Sequence, residues 1–102
     1  MSHAVIVHLK LSDLHMGTEA EREQFFELEQ QLMDALGEDG EFDGNEFGGG
    51  ECVFYMYGED ADLVFRKVAS VLRSSPLARG GFALMRYGDV LDGDAPEVRE
   101  AL

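Results

Sequence analysis

Carboxylates at alternate positions form the pattern in this sequence that comes nearest to known chemistry. Counting from Asp39, acidic side chains stand first, third and fifth as Asp39, Glu41 and Asp43, and Gly44 is sixth. That is the opening of an EF-hand calcium loop. The pattern then fails, because Gly50 stands twelfth, where calcium needs a bidentate glutamate. The clustered oxygens therefore predict weak divalent cation binding at most, with no dedicated metal site and no cofactor.

Cys52 is the single cysteine of the chain and its first candidate nucleophile. A reactive thiol needs a base or a positive charge beside it, and no histidine neighbours Cys52 in the sequence. A buried, unreactive thiol is the usual outcome at the start of an apolar segment. Zinc binding by His3 and His8 is disfavoured, since residues five apart on a strand point to opposite faces. We predict no catalytic residue, and the chain favours a non-enzymatic role.

The glycine triplet at 48–50 resembles a phosphate-binding loop only in composition. No lysine or helix start follows it, and Glu46 and Glu51 would repel a phosphate. The extended segments 41–47 and 52–57 flank the triplet, where glycine lets the chain reverse cheaply. The pattern predicts a β-hairpin. Its second arm is the most aromatic and apolar segment of the chain, which indicates a central strand.

Periodicity predicts two further elements before the hairpin. Residues 3–11 are β-branched and apolar with alternation at their end, which is typical of a strand. Thr18 and Glu21 form a capping-box pattern, and apolar residues at helical spacing then continue to Gly37. We therefore expect a helix over about 19–36.

Two more elements are predicted after the hairpin. Acidic residues around Asp60 favour the start of a second helix, which Pro76 must end. Residues 82–87 read as a fourth strand. Residues 90–102 are turn-rich and leave three alternatives open, namely a short helix capped by Asp94, a frayed end or an added strand.

The predicted order β, α, β, β, α, β is typical of the ferredoxin-like α+β fold, a four-stranded antiparallel sheet with two helices on one face. Residues 1–102 form one domain in this interpretation, with a core of about 3–89 and residues 90–102 as a C-terminal tail or short helix. The crossover rule is taken to place the strands at 3–11 and 52–57 in the middle of the sheet, parallel to each other.

The charge of the chain excludes several classes of partner. Eight lysines and arginines against 21 aspartates and glutamates give a net charge of −13, and residues 38–62 hold nine carboxylates and no basic residue. Nucleic-acid binding draws on basic side chains, so we expect none. The acidity and the lack of a ~20-residue apolar run argue against a membrane. A single cysteine and no signal-like segment favour the cytoplasm.

The runs GEFDGNEFGGGE, YMYGEDADLVF and VLRSSPLARGG, within about residues 40–88, resemble a set of small acidic bacterial proteins known mainly as uncharacterised open reading frames. No function is attached to this resemblance. It implies only that Tyr57-Gly58, Asp60-Ala61-Asp62, Ser75-Pro76-Leu77 and Tyr87-Gly88 are family features.

The open sheet face is the predicted interaction site. If the odd-numbered residues of the first strand meet the helices, the alternate set faces outward with residues from the neighbouring strands. The predicted interaction face consists of Ile6, His8, Lys10, Tyr55, Tyr57 and Arg86, accompanied by Phe82 and Leu84. An amphipathic surface of this kind favours a homodimer or another protein as the partner.

Two alternatives remain open. The first is an acidic inhibitor or immunity-type protein that binds a basic partner through residues 38–62, with Glu41, Asp43, Glu46 and Glu51 as its surface. The second is a small-ligand binder or enzyme with a shallow pocket at the sheet face. Its residues would be His8, Tyr55, Tyr57 and Arg86.

Overall fold

The computed structural model describes residues 3–89 and 91–102 and contains two α-helices, one short 3₁₀ turn and five strands. The strands are β1 (His3–Lys10), β2 (Glu41–Gly48), β3 (Glu51–Gly58), β4 (Phe82–Arg86) and β5 (Glu97–Ala101). The helices are α1 (Glu19–Leu36) and α2 (Ala61–Ser74), and the 3₁₀ turn is Pro76–Ala78.

The strands form one antiparallel sheet in the order β2-β3-β1-β4-β5. The predicted α+β class, the two helices and the antiparallel sheet are confirmed. The predicted number of four strands is wrong, because β5 adds a fifth strand at the edge beside β4.

The predicted parallel pairing of β1 with β3 is also wrong. The two strands are neighbours, but His3 lies opposite Gly58 and Lys10 opposite Glu51, which is an antiparallel register. The reason is topological. Because β2 and β3 form a tight hairpin, they must run in opposite directions, so β1 runs parallel to β2 across the intervening β3.

Strand β5 settles the three alternatives for the C-terminal segment within the described residues. Residues 97–101 pair with β4 from Arg86 opposite Glu97 to Phe82 opposite Ala101. A short helix there is therefore wrong. A helix would satisfy its backbone locally, whereas β5 satisfies its own backbone and that of the β4 edge together. Val90, at the start of the predicted tail, lies outside the described residues.

One hydrophobic core lies between the sheet and both helices. Val5, Val7 and Leu9 alternate along β1 with 0% exposure and pack in one cluster with apolar residues of α1 and α2. The rings of Phe25 and Phe54 join α1 to β3 at a centroid distance of 6.4 Å. The opposite sheet face therefore carries the other half of each alternating pattern.

The ends of the helices follow from local capping. Thr18 Oγ1 accepts the Glu21 backbone N–H at 3.1 Å, as the capping box predicts. The reciprocal half is absent, because the Glu21 carboxylate accepts the Ser12 backbone N–H at 3.2 Å instead. Asp60 caps α2 by accepting the N–H of Asp62 at 3.0 Å. Neither helix of the described residues is long and apolar enough to cross a membrane.

Candidate interaction face

The face of the sheet opposite the helices is built from cross-strand rows. The first row aligns Glu41, Tyr57, Ala4, Arg86 and Glu97 from β2 to β5. The second row aligns Gly44, Tyr55, Ile6, Leu84 and Arg99. The third row aligns Glu46, Val53, His8, Phe82 and Ala101. The six residues predicted for the interaction face, including Lys10 beyond the third row, thus share one side of the sheet.

The middle of this face is apolar. Tyr55, Ile6 and Leu84 stand side by side in the second row, and each is half-buried. The core-facing residues of the same strands are completely buried by the helices. The half-burial of the second row comes from neighbouring side chains, so its outer surface is available for contact.

The register separates residues that the small-ligand alternative placed together. His8 lies opposite Val53 and Phe82, whereas Tyr57 and Arg86 lie opposite Ala4. Four residues along a strand correspond to about 13 Å. The register therefore spreads His8, Tyr55, Tyr57 and Arg86 over three rows of the face, and the small-ligand alternative stays a prediction. The sequence alone did not fix the register between strands that are distant along the chain.

His8, Phe82 and Arg99 form a stack at one end of the face. The His8 and Phe82 rings are 4.7 Å apart and nearly parallel, at 11°. The Arg99 guanidinium lies 3.7 Å from the centroid of the Phe82 ring. Sequence reasoning missed Arg99, because only the pairing of β5 with β4 brings it to this face, and residues 97–101 have no alternating apolar pattern that predicts a strand.

Polar contacts fix the edges of the face. His8 Nδ1 donates to Glu51 Oε2 at 2.9 Å, and Arg86 donates to Glu97 Oε2 at 3.2 Å and to the carbonyl of Asp92. The Tyr55 hydroxyl donates to Glu46 Oε2 at 3.2 Å. Burial and the charge and hydrogen bond of the nearby Glu46 carboxylate raise the pKa of Tyr55.

The register places the four residues of the predicted acidic surface along β2 and at the hairpin end of β3. Glu41 and Glu46 stand on the open face of the edge strand β2, and Asp43 lies at a bulge where the register shifts between Phe42 and Gly44. Glu51 is the first residue of β3, next to the hairpin turn, and it pairs with His8.

A separate acidic cleft of about 460 Å³ lies where the chain enters β2 and α2. The carboxylates that line it belong to Glu38, Asp39, Glu41, Glu59 and Asp60. Asp39 pairs with Lys67 at 3.1 Å. No group of three or more potential ligands that could hold a metal ion occurs within residues 3–89 and 91–102.

The candidate nucleophile lies away from the open face. Cys52 is on the helix side of β3 with 0% exposure, and burial, with a smaller contribution from Glu29, raises the pKa of its thiol to about 12. His3 and His8 make separate contacts. His3 Nδ1 accepts the N–H of Ala61 at the start of α2 at 3.1 Å, whereas His8 contacts Glu51. Thiolate chemistry at Cys52 has no support from this geometry.

The fold and the face define an α+β protein with helices on one side of its sheet and a partly apolar surface on the other. No protein-family model matches the chain, and comparison with curated proteins and with solved structures gave no significant match. The resemblance to small acidic bacterial proteins stays a prediction.

Proposed function

We propose that this protein is a small non-enzymatic interaction module that forms a homodimer through its open sheet face. The observation that supports the proposal is the continuous row of Tyr55, Ile6 and Leu84 at the centre of that face, which the helices leave uncovered. Apolar side chains gathered in one surface patch gain free energy when a partner covers them.

The arrangement of charge on the face favours a second copy as the partner. Glu41 and Glu46 stand at the β2 edge, while Arg86 and Arg99 stand at the β4 and β5 side. If the two-fold axis runs parallel to β1 between two facing sheets, β2 of each copy lies over β5 of the other. In this arrangement Glu46 of each copy lies near Arg99 of the other, whereas Glu41 lies over Glu97, whose charge is offset by its own ion pair with Arg86.

The size of the face predicts a weak dimer. Three strands of eight residues and two of five, at about 4.8 Å spacing and about 3.3 Å rise, give roughly 540 Å² per copy, or about 1,100 Å² in total. That area stands at the lower limit for a specific interface. We therefore expect a dissociation constant on the order of micromolar rather than nanomolar.

Two further proposals concern the setting of this module. We assign its first four strands and two helices to the ferredoxin-like fold, extended by β5, and the strand order β2-β3-β1-β4 supports this. We also propose a cytoplasmic location and a protein rather than nucleic-acid partner. The net charge of −13 and the single, buried cysteine support these proposals.

Sedimentation equilibrium over about 1–200 µM protein tests the homodimer. Ile6→Glu places a charge at the centre of the face and should shift the dissociation constant by at least tenfold. The matched control is Met33→Glu, because Met33 is an exposed apolar residue of α1 with 37% exposure. It should leave association unchanged.

A second variant tests the homodimer without a substitution in the middle of the sheet. Glu46→Lys alters an exposed side chain at the edge of the face, so the fold should survive, and dimerisation should weaken by charge repulsion with Arg99 of the other copy. Circular dichroism reports whether each variant is folded. A wild-type protein that stays monomeric at 200 µM would refute the homodimer, and binding of a different protein to the same face would replace it.

The acidic-inhibitor function is a second candidate, favoured by the cleft that Glu38, Asp39, Glu41, Glu59 and Asp60 line. Only Asp39 of these has a cationic partner within 4.0 Å in the described residues. Replacement of Glu38, Glu41 and Glu59 by glutamine should leave folding intact and weaken the binding of a lysine-rich peptide by at least tenfold. Equal binding of the peptide by the wild type and the variant would refute the acidic-inhibitor function.

A further inference from the structure

A second cavity, of about 420 Å³, lies at the end of the open face where β1 and the β2–β3 turn meet the chain before β4. Lys10 and Arg99 stand at its walls, and Phe82 lies between them on the sheet. Leu11 and Leu14 add apolar surface, and Leu14 is 83% exposed. The site is concave and mixes apolar surface with a few converging charges, as small-molecule sites do.

Neither cation of this cavity forms an ion pair within the described residues, although Lys10 lies opposite Glu51 in the β1–β3 register. Lys10 and Arg99 have no carboxylate oxygen within 4.0 Å among residues 3–89 and 91–102. Arg22, Arg66 and Arg79 likewise have no carboxylate oxygen within 4.0 Å in the described residues, so the feature that matters is the convergence of two such cations on one cavity. Elsewhere, Lys67, Arg73 and Arg86 each reach a carboxylate.

The two carboxylates that line the same cavity are, by contrast, already engaged. Asp13 Oδ1 accepts the backbone N–H groups of His15 at 2.8 Å and Gly17 at 3.0 Å, and these hydrogen bonds lower the pKa of Asp13. Glu51 Oε2 accepts from His8 Nδ1 at 2.9 Å. Glu51, which the sequence suggested would repel an anion, therefore has one carboxylate oxygen engaged in a hydrogen bond with His8.

One of the two cations is also held in position. Arg99 is stacked on Phe82, with its guanidinium 3.7 Å from the ring centroid, so its N–H groups remain free in the plane of the stack. The side chain of Lys10 lies across Gly80, where a Cβ atom would stand 3.6 Å from its Nζ atom. A side chain that is already ordered loses less entropy when it binds a ligand.

We propose that this cavity binds a small organic anion, with a carboxylate or phosphate held by Lys10 and Arg99 and an apolar body against Leu11 and Leu14. Charge-assisted hydrogen bonds from two cations suit such a group, and the guanidinium of Arg99 can bind it in a bidentate manner. The net charge of −13 opposes the approach of anions, but exposed charges beyond about 8 Å are largely screened at physiological ionic strength.

NMR titration of ¹⁵N-labelled protein with inorganic phosphate, benzoate and phenyl phosphate tests the site. Phenyl phosphate should bind most tightly, because it offers both the charge and the ring. We expect saturable shifts in the amides of Lys10, Phe82 and Arg99. Lys10→Gln with Arg99→Gln should weaken the binding of phenyl phosphate by at least tenfold.

Arg66→Gln is the matched control, because Arg66 is an exposed cation of α2 that also lacks a carboxylate within 4.0 Å in the described part of the chain. It should leave the affinity within twofold. The titration is repeated with Ile6→Glu, which blocks the proposed homodimer without altering a residue of the cavity. Binding that persists there shows that the site does not depend on dimerisation.

Two results would overturn the inference. One is the absence of saturable binding for all three anions in both backgrounds. The other is equal binding by the wild type and the Lys10→Gln, Arg99→Gln protein. If no anion binds and the Lys10→Gln, Arg99→Gln protein dimerises more weakly than the wild type, the two cations instead pair with carboxylates of the second copy.

Discussion

Tyr87 and Asp62 form a contact that joins the end of β4 to the first turn of α2. The Tyr87 hydroxyl donates to Asp62 Oδ1 at 2.6 Å, and the ring packs edge-on against His3 at 5.6 Å. The hydrogen bond to Asp62, followed by burial and the charge of Asp62, raises the pKa of Tyr87 to about 12. The neutral phenol is therefore the form that stabilises the folded protein.

Tyr87→Phe should remove this contact while it keeps the ring. We expect a loss of about 0.5–1 kcal/mol in the free energy of unfolding at pH 7, the range of an ordinary hydrogen bond in a partly exposed site. Because the folded-state pKa of Tyr87 is raised, the wild type has this stabilisation fully below pH ~10 and loses it as the pH rises toward about 12. Urea denaturation at pH 7 and pH 11 measures the difference between the two proteins.

Tyr57→Phe is the control, since the Tyr57 hydroxyl makes no hydrogen bond within residues 3–89 and 91–102. Cys52 also titrates at high pH but is present in every protein compared, so its contribution cancels in the difference. If the gap between wild type and Tyr87→Phe stays constant from pH 7 to 11, the pKa assignment is wrong.

Among the elements, the β2–β3 hairpin is the one most tightly constrained by its turn. Gly49 and Gly50 have φ values of +59° and +81°, the two-residue turn whose twist matches that of paired strands. The turn also anchors the loop after β1, because Leu11 donates to the Gly50 carbonyl and Gly50 donates to the His15 carbonyl, each at 2.9 Å. Gly50 therefore links the β2–β3 turn to the loop after β1.

Gly50→Ala should destabilise the protein by about 1–3 kcal/mol. The added Cβ meets the Asp13 carbonyl oxygen at 3.1 Å, and the positive φ is strained for any side chain. Gly48→Ala is the matched control, because nothing lies within 4 Å of its Cβ position and its φ is not positive. Thermal denaturation that places both variants at the same midpoint would contradict this account of the turn.

The elements differ in how far local sequence determines them. Helix α1 has the predicted bounds, 19–36, because Thr18 caps its start and Gly37 follows its end. The hairpin was predictable for the same local reason. Strand β5 was not, since the Asp94–Pro96 signal favours a helix start, and only the free edge of β4 turns the segment into a strand. The pairing of β5 with β4 brings Arg99 to the Phe82 ring. The sequence therefore placed His8 and Phe82 on the open face but not Arg99.

At the scale of the whole molecule, several of the negative charges lie together at the β2 edge of the sheet. The bulged edge strand β2 carries Glu41 and Asp43, and neither has a cationic partner within 4.0 Å in the residues described. The acidic cleft adjoins the same edge. Charges and a bulge at an exposed edge oppose pairing with other strands. They also repel one another, which costs stability in a chain of net charge −13.

Glu41→Gln with Asp43→Asn should therefore stabilise the dilute protein by about 0.5–1 kcal/mol in low salt. The gain should vanish in about 1 M salt, where charges are screened within about 3 Å. Glu23→Gln with Asp34→Asn changes the net charge equally on the exposed side of α1 and should give a smaller gain, because those residues stand far apart along the helix. Urea denaturation at both salt concentrations compares the three proteins.

A loss of stability in the β2 variant at low salt would mean that Glu41 and Asp43 gain more from bound cations than they lose by repulsion. The weak divalent binding suggested by the alternating carboxylates would then explain the acidic edge, and added calcium should stabilise the wild type but not the variant. A gain that salt abolishes would instead assign these charges to keeping the β2 edge apart from other strands. In that case the open face remains the surface proposed for the homodimer, since Glu46 and Arg99 stand on either side of its apolar centre.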